Sequence, residues 1–295
     1  MTLLQFKNLI NEANYPIDAC RSLERDYGAL LENHACGMFL KKAEQAYRGG
    51  ALNLYEGSEE LVRLGKEASV HPYASEILFY LHLAPVLREK YSEMGLDDSF
   101  FAGMMQGILC KLYECHRLYG VWGSFVAIWF SRFFNLSLYA IGRFECCLMR
   151  ADKDYLIGEE AIKKGSLLID VHIPSRGKLI PGECAQSYRA AAAFFAPKLQ
   201  GERAVFHCES WLLADYVKQG LDERAGIAYF ADRYTLVERT PDEGDLWRIF
   251  YLHDYSTPDT LPENTALQRL FKERLQKNLP LYGGRGLFIY EDDEK

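Results

Sequence analysis

None of the eight cysteines stands in a Cys-x-x-Cys pair, so zinc-ribbon and thioredoxin-like chemistry is excluded. No P-loop, H-E-x-x-H or G-x-S-x-G motif occurs, which removes nucleotide triphosphatases, zincins and α/β-hydrolases. The seven histidines are scattered, and this spacing predicts no metal site. Positive charge is outnumbered, 34 Lys and Arg against 41 Asp and Glu. With a net charge of −7 and no Lys/Arg cluster, the chain lacks the basic footprint that binding to nucleic acid requires. Long apolar runs are also missing. Val121–Ile141 comes nearest, but Arg132 near its middle would cost about 2.5–3.5 kcal/mol in a bilayer. A helix followed by a buried strand suits it better, and no membrane partner is expected. The opening MTLLQFKNLINEANY has neither a basic stretch nor a long apolar run, unlike a signal peptide. With unpaired thiols, the expectation is a reduced, cytoplasmic protein.

What is present is a globular composition. Of 295 residues, 49% are hydrophobic and 25% charged, enough for a sizeable core and two ordinary domains. Residues 1–118 read as helices throughout. Leu54–Ala68, Ser75–Tyr91 and Phe100–Arg117 carry apolar residues at helical spacing, with Asp97, Asp98 and Ser99 as caps. Gly37 is expected to break one helix, and Pro85 to kink another. This half shows no chemistry.

From about residue 137 the pattern becomes short strands alternating with helices, giving a domain over 119–295. Tyr139–Met149, Ser166–Pro174 and Arg203–Leu213 read as strands, with an alanine-rich helix between the last two. Tyr155–Gly158 and Ala161–Lys164 read as an edge strand and turn. Gly226–Pro241 suggests two strands, Asp245–His253 another, and Thr265–Asn278 an amphipathic helix. Gly283–Gly286 reads as a turn before a final strand, and the acidic tail as frayed. The expected class is α+β: an all-helical domain, then a mixed, mostly antiparallel sheet flanked by helices.

Side chains on a strand alternate between faces. Arg143, Glu145, Asp170 and His172 therefore share a polar face if their strands are neighbours. His207 and Glu209, or else Cys208 and Ser210, join it according to register. His172, His207, Glu145 and Glu209 are candidate bases, and Arg143 is a candidate for positioning substrate. Ser210 also reads simply as a cap for the helix starting at Trp211.

These same stretches resemble a set of bacterial acyltransferases with a helical N-terminal domain and a GNAT-like (N-acyltransferase) C-terminal domain. The resemblance rests on Gly142-Arg143-Phe144-Glu145; on His172-Ile173-Pro174, Leu179, Cys184, Ser187, Tyr188, Ala191 and Phe194-Phe195; and on Cys208, Ser210, Trp211, Leu212 and Leu213. Ala214 before Asp215 departs from it by one residue. The resemblance implies a GNAT-like sheet that splays in the middle and binds acetyl- or another acyl-coenzyme A. An acyl group would then pass to a small amine-bearing molecule, with Glu145, His172, His207 and Glu209 as bases. It places the pyrophosphate site at the strand end reading HCESWLLAD, with Cys208, Ser210 and Trp211 as cofactor contacts. That segment has no glycine, so the N–H groups of Ser210–Leu213 would serve instead. The competing expectation is a non-catalytic ligand-binding module on the same frame.

Overall fold

The computed structural model describes residues 1–241 and 245–291; the acidic tail beyond them lies outside the described residues. Two compact units are present, Met1–Ala140 and Ile141–Lys295. The division comes later than the 118/119 boundary expected from the sequence. The reason is that Ala127–Phe130, a 3-10 turn, and α7 (Ser131–Phe134) pack on helices of the first unit.

The first unit consists of α1 (Leu3–Glu12), α2 (Ile17–Glu32), α3 (His34–Arg48), α4 (Leu54–Gly65), α5 (Pro72–Glu93) and α6 (Asp98–Tyr119), followed by α7. Its organising helix is α5, which packs against α2, α3, α4 and α6. Residues Ile77–Ala84 of α5 are all buried, as a helix surrounded on every side requires. Pro85 is accommodated inside it, and Gly37 inside α3, so Gly37 does not break the chain. Asn33 opens α3 instead, accepting a hydrogen bond from the Cys36 amide. Asp97 caps α6 as expected, accepting from the Ser99 amide at 2.8 Å.

The second unit follows from β1 (Tyr139–Ile141), a strand that straddles the unit boundary. It contains β2 (Phe144–Arg150), β3 (Tyr155–Ile157), β4 (Glu160–Ile162), β5 (Leu167–His172), α8 (Pro181–Leu199), β6 (Val205–Ser210), α9 (Asp215–Gly220), α10 (Gly226–Asp232), β7 (Thr235–Thr240), α11 (Leu246–Phe250), α12 (Ala266–Gln276) and β8 (Gly283–Ile289). The strand order of the main sheet is β1-β2-β5-β6-β8-β7, and β3–β4 form a separate hairpin. β5 and β6 are parallel, joined by the α8 crossover; the pairs β2–β5, β6–β8 and β7–β8 are antiparallel. The expected α+β class with a mixed, mostly antiparallel sheet is what the chain adopts.

Two segments differ from expectation. The first half of Gly226–Pro241 is helix α10, and only Thr235–Thr240 is a strand. Asp245–His253 holds helix α11, not a strand. Both are short aromatic-rich apolar runs, where strand and helix periods cannot be told apart. Gly283–Gly286 belongs to β8 itself. A Cβ on Gly284 would lie 2.5 Å from Leu236 Cδ1, so close packing explains the glycine.

One sheet face carries an aromatic layer. Phe144, Phe206 and Phe288 pack against Tyr188 of α8 at centroid distances of 4.9–5.0 Å. Phe230 of α10 and Tyr234, just before β7, extend it. On the other face the β3–β4 hairpin covers Leu168, Val205 and Leu287. Past that cover, this second face turns polar.

Candidate active site

Strand register decides which polar side chains meet. Glu145 lies opposite His172, Cys147 opposite Asp170, and Asp170 beside His207. Glu209 lies opposite Arg285. The row therefore contains Glu145, Cys147, Asp170, His172, His207 and Glu209 on one face. Of the two registers open from the sequence, it takes His207 and Glu209. Cys208 and Ser210 turn away from it.

At the centre is Asp170. Its Oδ1 accepts from His207 Nδ1 at 2.8 Å, and its Oδ2 lies 2.9 Å from His172 Nε2. Burial would raise the Asp170 carboxyl, but the hydrogen bonds from His172 and His207 outweigh burial and hold it well below the usual carboxylate range. An ionised Asp170 fixes the proton of His207 on Nδ1. That leaves Nε2 with a lone pair. His207 is only 4% exposed, and Nε2 has no partner among the described residues. A buried imidazole atom with nothing to bond to is rare and calls for an explanation. An imidazole whose other nitrogen is held by a carboxylate is the usual form of a general base.

The sheet opens beside this pair. The β5–β6 ladder consists of Ile169↔Phe206 and Asp170↔His207, whereas β6–β8 is paired from Val205↔Ile289 to Ser210↔Gly284. Beyond Asp170 and His207 the two parallel strands go on unpaired with one another. The opening thus lies at their carboxyl ends, where open sheets of this kind receive ligands. The loop leaving β5 leads to α8, which begins with Pro181 and has no side-chain cap. Space beside Gly182 is open. The loop supplies Arg176 and Lys178. The uncapped helix start has Arg176, which donates to the Gly142 carbonyl, and Lys178 before it and Glu183 in its first turn.

The residues expected to contact the cofactor, Cys208, Ser210 and Trp211, have other partners in this structure. Trp211–Leu213 is only a 3-10 turn, too short to sum peptide dipoles. Ser210 caps it, accepting from the Leu212 amide at 3.2 Å. Trp211 packs edge-on against Phe271 in a side core. Cys208 faces the aromatic layer, and burial pushes its thiol well above the ordinary value. The helix that joins the parallel pair is α8.

Arg143 and Glu209 also stand differently from expectation. Gly142 and Arg143 form the turn between β1 and β2, with Gly142 at φ +58°. A Cβ on Gly142 would sit 2.3 Å from Ser187 Oγ, so only glycine fits. The turn removes Arg143 from the row. Its buried guanidinium donates to the carbonyls of Pro174, Gly177 and Lys178, and its amide to Ser187 Oγ at 2.7 Å. Arg143 thus holds the loop before α8. A cleft of about 510 Å³ lies there, lined by Gly142, Arg143, Arg176, Glu183, Gln186, Ser187 and Ala190. Glu209 is exposed rather than partly buried, and its Oε2 accepts two bonds from Arg285 at 2.8 and 3.0 Å. A carboxylate engaged by a guanidinium in this way is poorly suited to take a proton.

From sequence alone Asp170 falls in the row but has no evident role. The alternation Asp170-Val171-His172 was visible, but the partner His207 lies 37 positions away. Nor did histidine spacing hint at metal ligands, although the register brings Cys147, Asp170 and His172 together with ligand atoms within 4.8 Å of one another.

A mixed sheet that splays between two parallel strands around a helical crossover defines a GNAT-type fold. The GNAT-like C-terminal domain model matches residues 138–288, and the N-acyltransferase N-terminal domain model matches residues 9–136. The chain belongs to the N-acyltransferase family built from these two domains. An acyltransferase solved in complex with decanoyl-CoA and teicoplanin is similar over 96% of this chain and 87% of its own, at 19% identity and TM-score 0.73. An acyltransferase in complex with CoA and 10C-teicoplanin is similar at 18% identity, the same coverage and TM-score 0.73. A mutant acyltransferase in complex with octanoyl-CoA follows at 19% identity, 97% and 88% coverage and TM-score 0.72. At these identities the likeness is one of fold. Among curated proteins none matches the sequence.

Proposed function

We propose that the protein transfers an acyl group from acyl-coenzyme A to an amine, forming an amide. The observation that carries this is His207: a buried imidazole, oriented by Asp170, with Nε2 unpartnered beside the opening between β5 and β6. In the proposed step Nε2 takes a proton from the amine as its nitrogen attacks the thioester carbonyl. The C–N bond forms and the C–S bond breaks. The thiolate leaves as coenzyme A and takes up a proton. Asp170 stabilises the imidazolium that forms. The uncapped start of α8, with Arg176 and Lys178, would hold the pyrophosphate, and Arg143 keeps that loop in place. Glu145, buried at 5% exposure opposite His172, would receive the acceptor's ammonium before deprotonation.

The acceptor is proposed as a small amine-bearing molecule. The glycopeptide held by the similar acyltransferase makes a larger amine-bearing acceptor the second to try. All eight cysteines are free and buried, which supports a reducing, cytoplasmic setting. Among the described residues no helix is long and apolar enough to cross a membrane.

The test is calorimetric titration with acetyl-, octanoyl- and decanoyl-coenzyme A, then mass spectrometry of amines incubated with the protein and the donor that binds. Binding followed by an acyl-sized mass increase on the amine is expected. Absence of binding at millimolar donor would leave the fold without the activity.

A further inference from the structure

The proposed acyl transfer does not use Cys147, although Cys147 sits within the polar row. Its Sγ lies 3.8 Å from Asp170 Oδ2, which in turn lies 2.9 Å from His172 Nε2. These three ligand atoms, a sulfur, an oxygen and a nitrogen, all fall within 4.8 Å of one another. Donor atoms bound to one tetrahedral zinc ion at about 2.0–2.3 Å stand roughly 3.3–3.6 Å apart. The separations here need only small side-chain adjustments to reach that spacing. We propose that Cys147, Asp170 and His172 form a binding site for a divalent cation of the zinc class.

The donor set argues for that class. Thiolate with imidazole favours zinc or cobalt over magnesium or calcium, which prefer oxygen throughout. The site is also supported from behind. His207 Nδ1 donates to Asp170 Oδ1, leaving Oδ2 for the ion and fixing the plane of the carboxylate. The three residues come from neighbouring strands, β2 and β5, in direct register at Cys147↔Asp170, so a rigid frame sets their positions. Binding balances simply. The Cys147 thiol gives its proton to solvent, thiolate and carboxylate cancel the two positive charges, and His172 coordinates as a neutral ring through Nε2. Three protein ligands leave a fourth position for water, and His172 is partly exposed.

The experiment is titration of the full-length, chelator-treated protein with Co²⁺, read by absorption. It does not depend on acyl transfer, so its failure and failure of the enzymatic activity are separate results. A thiolate-to-cobalt charge-transfer band, saturating at one ion per chain and displaced by Zn²⁺, is expected. Cys147→Ala should abolish the band. Cys146→Ala, whose thiol lies on the opposite sheet face, should keep it. If Cys147→Ala does not fold, His172→Ala carries the test, with an apparent cobalt affinity at least about tenfold weaker. Absence of a sulfur-to-cobalt band in the wild type would overturn the proposal. So would a band that survives unchanged in Cys147→Ala or His172→Ala.

Discussion

Each unit buries one histidine beside a carboxylate, and the two are treated differently. In the helical unit His82 is 1% exposed and uses both ring nitrogens. Nε2 lies 3.1 Å from the Leu40 carbonyl and 3.3 Å from Glu44 Oε2, and so carries the hydrogen. Nδ1 meets the Tyr27 hydroxyl at 2.7 Å. In the sheet unit His207 uses Nδ1 alone. Burial and a neighbouring carboxylate are common to both; a free ring nitrogen beside an opening is not. A ring with every polar atom engaged does structural work, while one with an atom held back is prepared for a ligand.

The contrast can be broken by substitution. Asp170→Asn should show the largest effect, because it removes the charge that holds the His207 proton on Nδ1. Turnover should fall about 10²–10⁴-fold with the fold retained, as steady-state rates and circular dichroism will show. His82→Ala should do the opposite. It takes the Nε2 donor from the Leu40 carbonyl and Glu44, leaves the Tyr27 hydroxyl only its bond to the Met1 carbonyl and empties a buried site, lowering stability by ~3 kcal/mol in urea titration, with turnover per folded molecule unchanged. Equal losses of turnover in both variants would erase the distinction.

Gly142→Ala should destabilise the sheet unit by about 2–3 kcal/mol, through a positive φ and the clash with Ser187 Oγ. Thermal unfolding measures it. Arg143→Lys should act more gently, because a single ammonium cannot span three carbonyls. Acyl-coenzyme A affinity should weaken about tenfold, or ~1.4 kcal/mol, by calorimetry.

The smallest effect is on pH. Burial lowers the His82 pKa from its ordinary 6.5, so below that pH the unfolded chain takes up a proton the folded one refuses. Hydrogen bonds from His82 and the terminal ammonium bring Glu44 down to about 2, overcoming burial. Its contribution is present above its ordinary 4.5 and is lost as pH falls toward 2. Both signs agree: stability declines on acidification from about pH 6.5. Urea midpoints should drop between pH 7 and 5 in the wild type, and more shallowly in His82→Gln.

The change from helices to sheet near residue 137 and the polar row were legible, because period and alternation are local properties of sequence. The row's membership was not. It depended on the parallel register Asp170↔His207, which joins segments on either side of α8. Arg143 alternates with Glu145 on paper, yet Gly142 turns the chain there and sends its guanidinium to the loop before α8. Helices α10 and α11 resemble strands in sequence because runs of seven and five residues, mostly apolar, fit either period. That Trp211–Leu213 is only a 3-10 turn, and that the longer helix α8 joins the parallel strands, depends on where each chain segment pairs, which local sequence does not carry.

The central claim is that His207 Nε2 removes the proton from the incoming amine. The most direct measurement is a single-turnover assay with acyl-coenzyme A at saturation, comparing wild type with His207→Gln by release of free coenzyme A thiol. The account predicts unchanged donor affinity and a rate lower by about 10²-fold or more in the variant. A variant that turns over at the wild-type rate would contradict it.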